Sequence, residues 1–465
     1  MKRVYPVLAM VALGVLAGIL AVAEGGAPRG RAAGVTGTIA TFAGGGTLAG
    51  DNVAALNAQI GVLALAASPS GDVYFSDFGC RIHRISAGTI LAVAGTGVCG
   101  FAGDNGQATL AEVNRPEALA FDTAGNLFVA DSYNCSVRRI DASSQVITTI
   151  AGTGQCGAST PNSGLGGAAT STTLSVPLQG LAVGSGGQVY VSEREMCRVD
   201  VISGGTISLF AGAPQTSTPN CSTADGDGGA ATAAHLILPF RIAIDAAGGV
   251  YVSQLTGCNL RKISSGVIST LINPCSPLTS GSNGGLAIDA AGTIFMSDVV
   301  SCNVRARTAT ATFTIAGSDG PPRGCGFSGD GGAAVFATLN GPYDLALDGA
   351  GNLYVADVLN ARIRVIYGAT AADTGDTDSD GYPDIAEAAL GTSPAVFCGI
   401  MRADVNGDGV VTITDIALAA DYFGQASPPT PSRYLQGPPP FAKVLTIVDL
   451  GHMALVFGRR VGQCP

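Results

Sequence analysis

The stretch GPYDLALDGAGNLYVADVLNARIRVIYG, residues 341–368, decides the fold. It holds an apolar run, a glycine-rich turn, a second apolar run closing on an acid, and a third run flecked with arginine. Runs this short, alternating with period two and parted by glycine turns, read as antiparallel strands joined by tight hairpins. The core of this unit recurs upstream as LALAASPSGDVYFSD (63–77), ALAFDTAGNLFVAD (118–131), GLAVGSGGQVYVSE (180–193), RIAIDAAGGVYVSQ (241–254) and GLAIDAAGTIFMSD (285–298). Its aromatic marker falls at Tyr74, Phe128, Tyr190, Tyr251, Phe295 and Tyr354, at intervals of 54, 62, 61, 44 and 59 residues. A third and a fourth strand follow each core, as in CSVRRI (135–140) and VITTIAG (146–152).

Four strands per unit make one antiparallel blade. A lone blade cannot bury both faces, whereas six set radially bury them against one another and leave only short edges. The expected fold over residues 36–368 is therefore an all-β six-bladed propeller. Closure is legible too. The fourth strand ends in Ala-Gly, as in TILAVAG (89–95), but the sixth core stops at RIRVIYG (362–368) with no such strand after it. One orphan copy, TIATFAG (38–44), precedes the first core and is expected to complete the last blade. The ordered signature GDGGAA (329–334), Pro342, LALD, GNLYVAD and NARIRVI resembles the NHL repeat family, and this resemblance covers about residues 36–368.

The cysteines repeat with the blades. One set starts the third strand: Cys80, Cys135, Cys197, Cys258 and Cys302. The other lies just past the fourth: Cys99, Cys156, Cys221, Cys275 and Cys325. In an antiparallel hairpin these points sit side by side, within disulfide reach. Five local bridges follow, each worth roughly 3 kcal/mol in the chain-entropy model. The sixth pair of positions, Ala361 and the loop Gly44–Gly46, lacks cysteine on both sides, as a closed ring requires. A metal-binding role would need CxxC-type clustering, which the sequence does not have.

A disulfide framework suits an oxidising compartment, and the N-terminus agrees. Lys2 and Arg3 precede an apolar stretch from Val7 to Ala21, and Ala21-Val22-Ala23 offers small residues for cleavage, so residues 1–23 read as a signal peptide. Val4 to Ala23 also approaches spanning length, so an uncleaved membrane anchor stays open as the alternative. The expected location is secreted or cell-surface. With a net charge of −10 and three lysines against twenty-one arginines, no basic face is expected for nucleic acid or anionic lipid.

After Tyr367 the chain changes character. Residues 376–387, DTDSDGYPDIAE, place Asp376, Asp378, Asp380, Asp384 and Glu387 at positions 1, 3, 5, 9 and 12 of a loop with Gly381 at 6. The Tyr382 carbonyl supplies position 7. Hard cations take several converging oxygens, and this spacing provides them from a tight turn, so calcium is the expected cofactor. With GTSP (391–394), segment 369–397 resembles the thrombospondin type 3 calcium repeats. A second loop, DVNGDGVVTITD (404–415), sets Asp404, Asn406, Asp408, Thr412 and Asp415 at the same positions, with the Val410 carbonyl at 7. A predicted helix follows it at IALAADYFG (416–424), and segment 398–465 resembles a type I dockerin. That resemblance implies a small helical EF-hand-like module, a cohesin-like partner and membership of a polysaccharide-degrading assembly. TIVDLGHMALVFG (446–458) repeats the first half, but Pro438, Pro440 and Ala442 replace its ligands, so the second calcium site is expected to be dead. Cys398 and Cys464 bracket this module and are expected to staple it.

No catalytic constellation stands out. His83 and His235 occupy non-equivalent positions, one on a third strand and one in a loop, while a histidine zinc site needs three converging ligands. The acids closing the second strands, Asp77, Asp131, Glu193, Asp298 and Asp357, recur once per blade and read as turn stabilisers. The recurring segments around Asp104, Asp227 and Asp330 read as tight glycine turns. Specificity is sought where blades differ. Just before the inner strands stand Glu117, Gln179, Arg241 and Asp344, beside Pro116, Pro177, Pro239 and Pro342. They are expected to form a mixed-charge rim at one mouth of the channel, with simple loop drift as the alternative. The resulting functional expectation is an extracellular scaffold whose propeller recognises a protein or glycan and whose calcium-ordered tail attaches it. The alternative is a component, possibly a hydrolase, of a polysaccharide-degrading assembly.

Overall fold

The computed structural model describes residues 37–157, 164–213, 221, 224–255, 260–272, 283–309, 312–317 and 325–369. The signal segment, both calcium loops, the dockerin-like segment and the cysteine pairs Cys258/Cys275 and Cys398/Cys464 lie outside them.

Six antiparallel blades are present, five of four strands and one, blade one, with the short strand Val53–Ala54 added at its outer edge. From the axis outward, blade one runs Ala64–Ala67, Val73–Ser76, Ile82–Ser86 and Thr89–Ala94. Blade two runs Pro116–Phe121, Leu127–Asp131, Ser136–Ile140 and Ile147–Ala151. Blade three is Leu178–Val183, Val189–Glu193, Arg198–Ser203 and Thr206–Ala211, and blade four is Pro239–Ile244, Val250–Gln254, Leu260–Ser264 and Val267–Ile272. Blade five is Asn283–Ile288, Ile294–Asp298, Asn303–Arg307 and Thr312–Gly317. Blade six takes Pro342–Leu347, Leu353–Asp357 and Arg362–Ile366 from the sixth repeat, and Ile39–Gly44 completes it by pairing with Arg362–Ile366. The orphan strand thus closes the ring. Each inner strand packs against both neighbouring inner strands, and Ala64–Ala67 meets Pro342–Leu347.

Alternation decides where the core lies. Alternate residues of each strand meet those of the next blade in an apolar layer between blades, such as Leu65, Phe75 and Ile85 against Ala346, Tyr354 and Val365 at the seam of blades one and six. Five of the six layers also take a buried alanine from a described 3₁₀ turn before the inner strand: Ala55, Ala108, Ala169, Ala231 and Ala334. This explains the GAA of the recurring GDGGAA.

Four disulfides join the predicted partners, Cys80–Cys99, Cys135–Cys156, Cys197–Cys221 and Cys302–Cys325, with Cα separations of 5.1–5.4 Å. The third-strand cysteine sits each time in the left-handed region, with φ between 47 and 59°. Ala361 keeps that conformation (φ 50°) without the cysteine. Opposite it, a Cβ on Gly46 would run into the Asn57 backbone, so the seam crossing has no room for a bridge.

One register position on the third strand carries a buried polar side chain in every blade. His83, Arg138, Asp200, Arg261, Arg305 and Arg364 lie opposite Phe75, Val129, Val191, Val252, Met296 and Val355 of the second strand. All six are buried. In three blades the arginine is held by the aspartate of the preceding GDGG-type loop. Arg138 Nη2 lies 2.6 Å from Asp104, Arg261 Nη2 2.8 Å from Asp227 and Arg364 Nη2 2.7 Å from Asp330. These aspartates also accept from the outer strand of the same blade, through the Thr149 amide, the Thr270 amide and the Thr41 hydroxyl. The loops therefore do more than turn: each clamps an inter-blade crossing onto the blade it enters, a role that the glycine-turn reading missed.

Blade three inverts the pattern. Its loop, GLGGAA (164–169), has Leu165 in place of the aspartate, and Leu165 packs on the apolar layer instead. Asp200 stands at the arginine position, sharing Arg198 with Glu193. Burial, and then the charge of Glu193, push the Asp200 carboxyl well above the usual carboxylate range.

Candidate functional site

Strand direction sorts the loops. Turns between first and second strands lie at one end of the propeller; the second-to-third loops, the disulfides and the inter-blade crossings lie at the other. Chemical variety is concentrated at the second end.

On the axis there, Glu117, Gln179, Arg241 and Asp344 come together as the sequence suggested, but as a plug and not as an exposed rim. They lie within the inner strands and not before them, and they are only 3–5% exposed. The cause is a bulge at the start of the inner strand, between Pro116 and Ala118, Leu178 and Gly180, Pro239 and Ile242, and Pro342 and Leu345. An extra residue re-aims the side chain, here toward the axis. Arg241 donates to the carbonyls of Glu117 and Gln179 and pairs with Asp344 at 3.1 Å. Its guanidinium lies over the Phe240 ring at 4.7 Å and the Tyr343 ring at 5.3 Å. Gln179 Nε2 donates to Glu117 at 2.9 Å, and the Leu65 amide donates to Asp344 at 2.9 Å. Burial raises the Asp344 carboxyl, opposed by the nearby Arg241 charge. This arrangement joins inner strands from five blades through buried, charge-paired groups on the axis.

The second-strand acids behave as anchors for the loops around the plug. Asp131 accepts from the Asn114 amide (2.6 Å), from Asn134 (2.8 Å) and from Arg138 (3.1 Å), and burial pushes its carboxyl up to about 6. Asp357 repeats this with the Asn340 amide (2.6 Å) and Asn360 (2.7 Å). Glu193 accepts from the Ser175 amide, and Asp298 from the Val300 and Ser301 amides. Asp77 accepts from the Arg81 amide and faces His83. Among the described residues, no group of three or more His, Cys, Asp or Glu is placed to hold a metal ion.

Above the plug stands a feature the sequence reading did not single out. In four blades the second-to-third loop exposes a large apolar or aromatic side chain: Phe78 (55% exposed), Tyr133 (46%), Val300 (57%) and Leu359 (71%). Three of them lean over the start of their own inner strand. Phe78 covers Gly61, Leu359 covers Gly341, and the Tyr133 ring lies 5.1 Å under Arg115, which also binds Glu117 of the plug at 2.7 Å. Blade three carries the exposed Glu195 there, held by Arg194, whose other side reaches Gln179 of the plug. The signal was present in the sequence: these residues occupy corresponding places between the second-strand acid and the third-strand cysteine, or Ala361.

No family model matches this sequence, and no curated protein sequence matches it. Similarity is found among solved structures. A protein of unknown function from Bacteroides thetaiotaomicron is 15% identical, with 71% of this chain covering 75% of that one at a TM-score of 0.50. An auxiliary nutrient binding protein from Bacteroides ovatus is 12% identical, with 70% of this chain covering 75% of that one at 0.48. A putative gluconolactonase is 13% identical, with 73% of this chain covering 94% of that one at 0.44. Likeness at such identities concerns the fold.

Proposed function

We propose that this protein is an extracellular binding scaffold of NHL type, whose propeller takes a glycan or protein ligand on the face that carries the second-to-third loops. The observation that carries this reading is the crown of Phe78, Tyr133, Val300 and Leu359. Chance exposure scatters single apolar residues over a surface; recurrence at corresponding loop sites, around one axis, marks a contact surface. The plug beneath supports binding over catalysis, because its charged groups are already paired with each other and with backbone carbonyls. The disulfides support an oxidising, extracellular setting.

In the same reading, the tail binds calcium through the loops at 376–387 and 404–415 and attaches the propeller to a cohesin-like partner or a surface. Calorimetric titration of the full chain with calcium is expected to give two sites of differing affinity, abolished by Asp376→Ala and Asp404→Ala respectively. Absence of heat from the chelated, desalted protein would remove the attachment role.

The ligand face is tested with the full chain by affinity electrophoresis in gels containing individual soluble polysaccharides, beside a variant carrying Phe78→Ser, Tyr133→Ser and Leu359→Ser. Exposed side chains contribute little to folding, so the variant is expected to unfold within about 1 kcal/mol of the parent. It is expected to lose at least tenfold in affinity for any polysaccharide that retards the parent. Equal retardation of both proteins would place the ligand elsewhere, and no retardation on any polymer would leave a protein ligand as the reading.

A further inference from the structure

The crossing from blade six to blade one, residues 44–62, differs from the other described crossings. Those from one to two, two to three, three to four and five to six each carry a disulfide. Three of these four also carry a permanent Arg–Asp pair, by way of Arg138, Arg261 and Arg364. The six-to-one crossing has no cysteine, and the arginine position of blade one is His83. Here Asp51 takes the place of Asp104, Asp227 and Asp330 in the loop.

His83 is bound at both ring nitrogens to carboxylates. Nδ1 lies 2.7 Å from Asp51 Oδ1 and Nε2 lies 3.0 Å from Asp77 Oδ2. A neutral imidazole has one N–H donor and one lone pair, so in its neutral form one of these contacts would set a lone pair against a carboxylate. Only the imidazolium satisfies both. The ring is 7% exposed and stacks on Phe75 with centroids 4.8 Å apart. Arg81 completes the charged surroundings, its Nη1 3.6 Å from Asp51. A cavity of about 330 Å³, lined in part by Gln59, Ile60, Asp77, Arg81 and His83, opens beside the ring. It gives water a route to the ring, so the proton can exchange without unfolding.

We propose that His83 is a protonation latch on the closing seam of the propeller: charged, it fastens the six-to-one crossing to blade one; neutral, it releases it. The ring is closed there by non-covalent contacts: Ile39–Gly44 joins blade six through strand pairing, the Thr41 hydroxyl on Asp330 and the Phe42 ring against Tyr354. The crossing is otherwise held on blade one by the short pairing of Val53 and Ala54 with Ile90 and Thr89, the Asn52 amide to Ile90 (2.7 Å), the Ala55 amide to Gly88 (2.8 Å) and the apolar packing of Ala55, Ala58, Ile60 and Val62. Burial lowers the affinity of His83 for its proton, but Asp77 and Asp51 outweigh it, and the balance is raised above the ordinary 6.5. The latch is accordingly at full strength below pH 6.5. It weakens as pH rises through the raised value.

Hydrogen exchange of the full-length protein between pH 6 and 9, corrected for intrinsic rate, tests this. In the parent, protection of amides in 48–60 is expected to be flat below pH 6.5. Above it, protection falls by up to tenfold per pH unit until the seated ring loses its proton. Peptides from blade three serve as the control and stay constant. In His83→Arg, which restores the permanent charge of the other blades, the profile is expected to be flat throughout. His83→Gln is expected to show the alkaline level of opening at every pH, and His235→Asn the parental profile. Ring ¹⁵N shifts of the parent supply a measurement that needs no variant: both nitrogens protonated at pH 7, and a titration midpoint coinciding with the loss of protection. A neutral ring at pH 7, or a parental pH profile retained in His83→Arg, overturns the proposal.

Discussion

Arg241→Met is expected to cost about 3–5 kcal/mol of folding stability, the range for removing one member of a buried ion pair. The loss has three parts. Asp344, buried and already raised in its proton affinity, is left without its guanidinium. The carbonyls of Glu117, Gln179 and Leu63, contributed by three different blades, lose a shared donor. The stacking on Phe240 and Tyr343 is replaced by weaker contacts of a thioether chain. Urea unfolding of the disulfide-intact protein at pH 7 measures the sum. The double variant Arg241→Met/Asp344→Leu is expected to recover part of it, with a coupling on the order of 1–3 kcal/mol, because no unpaired carboxylate then remains. A single variant less than about 1 kcal/mol weaker than the parent, yet defective in ligand capture, would reverse the assignment and make the plug a binding group.

That contrast shows where sequence reading succeeded and where it stopped. The blade count, the closing strand and the disulfide partners in four intervals were legible because repetition supplies its own alignment. A cysteine position is fixed by the hairpin that carries it, and five described third strands repeat the same left-handed residue, cysteine in four and Ala361 in the fifth. The four variable residues near the axis were also legible as a group. Their burial was not, because it depends on bulges that shift register by one residue without any marker beyond the preceding proline or leucine. The clamp formed by Asp104, Asp227 and Asp330 was hidden for another reason. Its arginine partner lies 34 residues downstream, across a blade, and only the register shows that His83 and Arg138 occupy one position. The crown was missed because exposed apolar residues carry no periodic signal within a single loop; they stand out only when four loops are superposed.

Removing the Cys135–Cys156 bridge is the second large expected effect, and it is expected to differ in kind from removing Cys80–Cys99. The loops are of similar size, 21 and 19 residues, so chain entropy assigns about 3 kcal/mol to each. Their surroundings are unequal. The one-to-two crossing keeps the Asp104–Arg138 pair when its disulfide is cut, with Arg138 fully buried and bonded through two nitrogens. The two-to-three crossing has Leu165 in place of the aspartate and Asp200 in place of the arginine, so the bridge is its only described fastening of either kind. Replacing both cysteines by alanine in each pair and following limited proteolysis of the native protein separates the cases. Loss of Cys135–Cys156 is expected to admit cleavage in the crossing that follows Cys156 while the rest of the ring stays intact. Loss of Cys80–Cys99 is expected to lower global stability by a similar amount but leave its crossing resistant. Equal susceptibility of the two crossings would mean that the aspartate–arginine clamps do not hold their loops. The latch assigned to His83 would then lose its closest structural precedent within the same chain.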